Sequence, residues 1–287
     1  MGNGVTRLGY RGAGKLKDVN RIPGRLFLRN VVERRALIAQ LVRRDFQMRF
    51  VGSAGGWLWG VVHPLVMLLS WVFVFQICLG MKLPQGSVTQ NYWMFLFCGF
   101  LPWMLFSETV TRSASSLVEQ SNLITKTVFP SEVVPISIFL SSLIHHLIGL
   151  ALAVAAGILV LKTFSPMILL LPMYMFFVGL LAVGIGWVAA SLHVYLRDTG
   201  QVLIVLLTFW FWLTPIMITE QQIPARFHFL VALNPMSWVV RAYRDRLLTN
   251  AWPHLHDLAI LAAYSGAVFI AGGLFFRHLK RGFADVL

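Results

Sequence analysis

The chain has 287 residues, 57% of them hydrophobic and only 12% charged, with a net charge of +13. Soluble domains run nearer about 45–50% apolar and about 25% charged, which excludes an ordinary water-soluble globule, and the 13% aromatic content excludes a disordered chain. A basic chain first points to nucleic acid, but the first 50 residues carry +9 of the +13, the distribution of a basic arm ahead of a membrane domain.

Residues 1–29 are rich in Gly and Arg, lack an apolar period and read as a basic cytoplasmic arm. Asn30 and Glu33 have the spacing of a capping box. They open a helix to about residue 50, in which Ile38, Leu41, Val42 and Phe46 recur at helical spacing and Arg34, Arg35, Arg43, Arg44 and Arg49 take much of the rest. Such a helix lies on the membrane surface with its arginines among anionic headgroups. The glycine-rich break that follows closes this 30–55 unit and turns the chain sharply into the membrane.

Six apolar segments then follow, at 56–79, 92–110, 135–161, 168–192, 201–218 and 258–276. Each is near the about 20 residues that cross a bilayer as helix, and together they hold a single charged residue, Glu108. None shows the polar stripe of a soluble bundle. The expected fold is an all-α integral membrane protein: six transmembrane helices (56–276), an N-terminal amphipathic interface helix, re-entrant outer half-helices and a cytoplasmic tail at 277–287. No internal repeat pairs the two halves. No short apolar run precedes a small-residue cleavage site, so the first span is expected to act as an uncleaved insertion signal. With both termini inside, the inner loops hold 18 Lys and Arg and the outer loops six.

Trp57 and Trp59 fall at the membrane interface, and Pro64 is placed to kink the first span. The inner segment 111–134 reads as a short helix from about Leu117 to Thr127, capped by Ser115 or Ser116 and stopped by Pro130. It presents Glu119, Gln120, Asn122 and Lys126 for docking. The long outer segment 219–257 holds two apolar pieces, 227–233 and 238–243, hinged at Asn234-Pro235. Each is too short to span, as in re-entrant half-helices.

Gly9, Gly14 and Lys15 match the start of a phosphate loop, but Leu16 stands where a Mg²⁺-binding Ser or Thr belongs, and no strand precedes it. ATP hydrolysis is therefore not expected on this chain. His145 and His146 lie mid-span and about 100° apart on a helix, and read as neutral histidines bonded to neighbouring helices. Cys78 and Cys98 read as apolar packing residues, and no histidine spacing makes a metal site. Trp93, Phe97 and Phe100 on the second span, and Phe209 and Trp212 on the fifth, recur at helical spacing. Such faces suit sugar rings, although contact with lipid or packing between helices is the more usual role of any one ring. Nothing resembles a nucleophile–base pair or paired catalytic carboxylates.

Arg44-Asp45, Arg49-Phe50, Ser53, Gly56-Trp57, Trp59 and the later Pro64 resemble the signature of ABC type-2 permeases of bacterial polysaccharide exporters. Gly55 departs from it where that family usually has Leu. Asn122 to Lys126 with Phe129-Pro130 and Pro135 looks like the family's coupling segment. Leu196-Arg197-Asp198 is similar to its short inner loop, and Leu233 to Met236 with Tyr243-Arg244 to its outer gate. The likeness runs from about Leu37 to Phe276 and looks nearest to O-antigen (Wzm-type), capsule and teichoic acid exporters. It implies a homodimeric permease in the bacterial inner membrane, bound to two copies of a separate ATPase that carries the ATP and Mg²⁺. Its cargo would be a lipid-linked polysaccharide. By that resemblance Leu117, Glu119, Gln120, Asn122, Lys126, Arg197 and Asp198 couple to the ATPase. Arg44, Asp45, Arg49, Ser53 and Gly56 form the interface helix and turn. Trp57, Trp59, Trp93, Phe97, Phe100, Phe209 and Trp212 line the channel. Asn234, Pro235, Arg241, Arg244 and Arg246 form the outer gate, its arginines meeting substrate phosphates. The alternatives are a drug or lipid efflux permease of the same superfamily and a proton-coupled carrier using His145 or His146.

Overall fold

A computed structural model describes residues 34–48, 55–126, 129–162 and 164–286. Every regular element among them is helical. The chain divides into an N-terminal unit, Met1–Ala36, and a body, Leu37–Leu287; of the first only residues 34–36 are described. The basic arm, the Asn30 and Glu33 capping box, Arg49 and Ser53 lie outside the described residues, as do the Trp57 and Lys126 side chains.

Helix α1 spans Arg35–Met48, burying Ile38 and Leu41 and leaving Arg43 and Arg44 exposed, the amphipathic split its periodicity predicts. Gly56 then adopts φ +47°, a left-handed conformation open to glycine. Helix α2 (Trp59–Trp71) follows and continues through the wider turns of Val72–Cys78. Helix α3 (Tyr92–Glu119) starts where the Asn91 side chain accepts from the Met94 N–H. It is the axis of the body: 78% of its most apolar stretch is buried, against 6% for the α2 span. At 28 residues it is about 42 Å long and continues beyond the expected span.

That length corrects the inner segment. Ser115 and Ser116 cap nothing and sit inside α3, where the Ser116 hydroxyl donates to the Ser113 carbonyl at 2.7 Å. Such back-bonding lets a serine occupy a helix interior. The break comes at Gln120, and the separate helix α4 covers only Ser121–Lys126. Helix α5 (Val133–Ala156) extends through Gly157–Leu161 and ends at Lys162, φ +53°. A tight turn, Pro166–Leu170, leads into α6 (Leu171–Tyr195).

Helix α7 is Thr199–Leu213, 15 residues or about 22 Å, shorter than a bilayer core of about 30 Å. The expected segment ran to residue 218. The helix stops because Pro215 has no N–H to continue it and drives Thr214 into an extended conformation, ψ 131°. Among the described residues, five helices therefore have the length and apolarity to cross a membrane, and α7 is a shorter apolar companion. Beyond two short turns, α8 (His228–Leu233) and α9 (Pro235–Leu248) meet at Asn234, the hinge position read from the sequence. The last long helix, α10, is Leu255–Leu279. It packs along α6 so closely that a Cβ on Gly272 would lie 2.1 Å from the Gly184 carbonyl oxygen, the small-residue contact that membrane helices favour. The tail folds back as α11 (Phe283–Val286), with Phe283 buried against Phe276 and Tyr195. Length, apolarity and the all-helical architecture make this a multi-pass integral membrane protein.

Candidate functional site

At one end of the body, α1, the C-terminal half of α3 and α5 are joined through polar side chains. Asp45 on α1 pairs with Arg112 on α3 at 2.5 Å. Arg112 lies 3.8 Å from Glu108, one helical turn earlier, and the Ser142 hydroxyl on α5 donates to Glu108 at 3.2 Å. Of the Arg44-Asp45 pair, only Asp45 turns inward; Arg44 is exposed. Arg112 and Ser142 escaped the sequence reading, although Glu108 and Arg112 stand at the i, i+4 spacing of a helical ion pair.

The same end carries the residues expected to couple to a partner. Glu119 and Asn122 are exposed and Gln120 is half-buried. Leu117 is 0% exposed, which corrects its assignment as a docking residue: its side chain serves the packing under α3. Arg197 and Asp198 are exposed in the turn between α6 and α7. The neighbouring ends are tied down by the Lys280–Glu132 ion pair, by the Trp187 indole donating to the Glu132 carbonyl, and by the Tyr195 hydroxyl donating to the Leu279 carbonyl.

Between α2, α3 and α5 a cleft of about 260 Å³ opens beside this end. Glu108, Ser142, His145, His146 and His63 contribute its polar groups; Trp59, Phe97, Leu101 and Leu105 are among its apolar walls. The two adjacent histidines diverge as their helical spacing predicts. His146 is buried and its Nε2 meets the Tyr243 hydroxyl of α9 at 3.0 Å, while His145 lies beside Phe46 of α1, ring centroids 5.4 Å apart.

The aromatic residues expected along one channel separate into three groups. Trp59 and Phe97 share the cleft. Phe100 is core, edge-on to Trp71 at 4.5 Å and near Phe211, and Trp93 is half-buried. Phe209 and Trp212 project from α7, 65% and 61% exposed. The Trp71–Phe211 stack, 5.4 Å between centroids, sets α2 beside α7, so their exposed apolar faces are neighbours.

At the opposite end, Asn234 is a three-way joint. Its Oδ1 caps α9 at the Met236 N–H (3.0 Å) and accepts from the Trp210 indole (2.8 Å), and its Nδ2 donates to the Thr214 hydroxyl (2.9 Å). Pro235 occupies the first turn of α9, where its missing N–H costs nothing. Arg244 is 6% exposed and donates to the carbonyls of Phe95, Pro215 and Ile216 at 3.1, 2.8 and 2.7 Å. Its guanidinium lies over the Phe95 ring, and any Cβ on Gly99 would sit 2.6 Å from its Nη2. Arg241 holds Glu220 with two hydrogen bonds, at 3.0 and 2.5 Å. Arg246 is 3% exposed. The expectation that these arginines meet substrate phosphates is thereby corrected: two are buried and the third is held by a carboxylate. Arg244 closes the chain after α7, where Pro215 ends the helix and leaves carbonyls to be satisfied.

The profile of the family described as ABC-2 type transporter matches residues 36–248. The chain is similar to the O-antigen export system permease protein RfbA of Myxococcus xanthus, 28% identical over 261 residues that cover 90% of this chain and 98% of that protein. It is also similar to an O-antigen export system permease protein RfbA of Klebsiella pneumoniae, 26% identical over 254 residues, 88% and 95% of the two chains. The polysialic acid transport protein KpsM of Escherichia coli is 22% identical over 245 residues, 84% and 92% of the two chains.

Proposed function

The chain belongs to the ABC-2 type transporter family, and from that premise we propose that it is the permease subunit of a bacterial inner-membrane exporter of lipid-linked polysaccharide of the O-antigen kind. The observation that carries this reading is similarity along nearly the whole of two O-antigen export permeases, 98% and 95% of their lengths. The working unit is a homodimer with two copies of a separate ATPase, which holds the ATP and Mg²⁺; this chain supplies no cofactor. Six helices cross the membrane, α7 with the chain held by Arg244, and both termini are cytoplasmic. The exposed surface of the α3–α4 corner, with Glu119 and Asn122, and the Arg197–Asp198 turn support coupling to the ATPase at that end.

The adjacent exposed faces of α2 and α7 support the second copy's position. An isolated protomer leaves Trp59, Phe209 and Trp212 at 59%, 65% and 61% exposure, and a channel between two such faces offers aromatic rings to passing sugars. ATP-driven closure of the ATPases moves the α3–α4 corner, and α3 transmits that motion along its length to α8 and α9.

Deletion of the gene tests the reading. Loss of surface glycan with the lipid-linked chain retained inside, restored by the gene on a plasmid, is the expected result. Unchanged glycan with new drug sensitivity would establish the efflux alternative. Transport that continues under ATPase inhibition and disappears on His146→Ala would establish the proton-coupled carrier.

A further inference from the structure

We infer that the short tail after α10 is a positioning element for coupling. It holds the start of α5, next in the chain after the α3–α4 corner, at a fixed spacing from the Arg197–Asp198 turn, so that the two surfaces offered to the ATPase move as one. The inference rests on the export reading for its role in coupling; the contacts that carry it stand apart from that reading.

The two surfaces belong to different helices, and both meet the tail. Glu132, just ahead of α5, is held twice: its carboxylate by Lys280 of the tail, and its carbonyl by the Trp187 indole of α6 at 3.0 Å. Tyr195, the last residue of α6, donates from its hydroxyl to the Leu279 carbonyl at 3.0 Å, and its ring meets Phe283, centroids 6.1 Å apart. Phe283 is edge-on to Phe276 at 5.5 Å, and Phe276 lies beside Trp187. One cluster of side chains thus reaches the start of α5 and the end of α6 together.

The tail is seated by its packing. Helix α11 has four residues, too few to hold a helix by its own hydrogen bonds, yet Phe283 is only 1% exposed. Gly282 passes so near α6 that a Cβ there would lie 2.6 Å from the Tyr195 hydroxyl oxygen, so the backbone of the tail fits against that helix end. Energetic coupling is carried by packed side chains and rigid elements. A turn free to shift against its neighbour absorbs a partner's closing stroke, whereas two surfaces tied to one anchor pass it on.

Hydrogen–deuterium exchange on the permease–ATPase complex in lipid nanodiscs tests the anchor, and surface glycan set against ATP hydrolysis tests what the anchor does. The amides of Val133, Val134, Leu196 and Thr199 are bonded within the two segments. In Phe283→Ala their exchange is expected to quicken about tenfold, as local opening becomes easier, while Phe95 at the far end of α3 is unchanged. Surface glycan is expected to fall about fivefold with ATP hydrolysis retained, the scale on which mutations along a coupling route act. Val286→Ala, on the same short helix but 50% exposed, is expected to change neither readout. Lys280→Glu should reproduce part of both effects, and Lys280→Glu with Glu132→Lys should reverse them; this pair decides the matter if Phe283→Ala fails to assemble. Unchanged exchange at either segment, faster exchange spread evenly over the protein, or export that falls only in step with ATP hydrolysis overturns the inference. A wild-type complex that hydrolyses ATP and exports no glycan would overturn the export reading instead, and the exchange rates would still decide whether the tail anchors both segments.

Discussion

Arg244 illustrates how a charged side chain in a membrane protein can be structural. It donates to the Pro215 and Ile216 carbonyls just past the end of α7 and to the Phe95 carbonyl of α3, joining the two. Each buried carbonyl left unpaired costs about 1–3 kcal/mol, so Arg244→Ala should lower the thermal unfolding midpoint of the purified protein by many degrees. Arg244→Lys should recover only part of the loss, because an ammonium is a point donor and cannot span the fork that a guanidinium presents. Gly99→Leu should reproduce the Arg244→Ala defect, since the guanidinium occupies the space a side chain would need. An unfolding midpoint unchanged by Arg244→Ala would refute this role. Sequence alone places Arg241, Arg244 and Arg246 in an expected outer segment; whether they meet solvent, a carboxylate or a carbonyl depends on how α9 is rotated against α3, which no local pattern encodes.

The helices themselves are read well from apolarity, and their ends less well. Asn234-Pro235 announces a helix start through side-chain capping and a proline in the first turn, and α9 starts there. The polar residues after the second span look like a break before a new helix at Leu117, yet α3 continues through them to Glu119, with Ser113 and Ser116 facing the core and the Ser116 hydroxyl donating to the Ser113 carbonyl. Packing between helices is equally specific. Gly272→Val should prevent the close approach of α6 and α10, where even a methyl would overlap the Gly184 carbonyl. Gly266→Ala on the same helix, with no atom within 4 Å of the added Cβ, should be neutral or slightly stabilising. Comparing the yields and unfolding midpoints of the two variants checks this, and equal behaviour would argue against the contact. Likewise Asn234→Ala should cost about 1 kcal/mol for the cap alone and more through the lost bonds to Trp210 and Thr214.

On the scale of the whole molecule, the Asp45–Arg112 pair ties the surface helix to α3, whose end leads into α4. Reversing either charge should reduce export, and the double exchange Asp45→Arg with Arg112→Asp should restore much of it. A double-mutant cycle on stability should give a coupling of about 1 kcal/mol, as for a partly exposed pair. Failure of the exchange to rescue either readout would separate the two residues functionally. The proposed dimer makes a geometric demand as well. With Cys78 replaced by Ser, a cysteine at Val66, on the exposed face of α2, should cross-link two copies on oxidation, and one at Phe176 on α6 should not. Cross-linking at Phe176 alone would move the interface away from the α2–α7 face.

Composition and period were enough to establish a membrane-embedded helical protein with a basic amphipathic helix ahead of it, because the cost of unpaired backbone in lipid makes long apolar runs helical whatever surrounds them. The Asn234 hinge and the divergence of His145 from His146 were equally legible, since each follows from local geometry. Tertiary structure alone decided the fates of single side chains: Leu117 and Phe100 in the core, Trp59 on a cleft, Arg244 on carbonyls and Asp45 on Arg112. Those outcomes depend on residues brought together from distant parts of the chain, so the partner of a polar group in this bundle is set by helix packing rather than by its own neighbours.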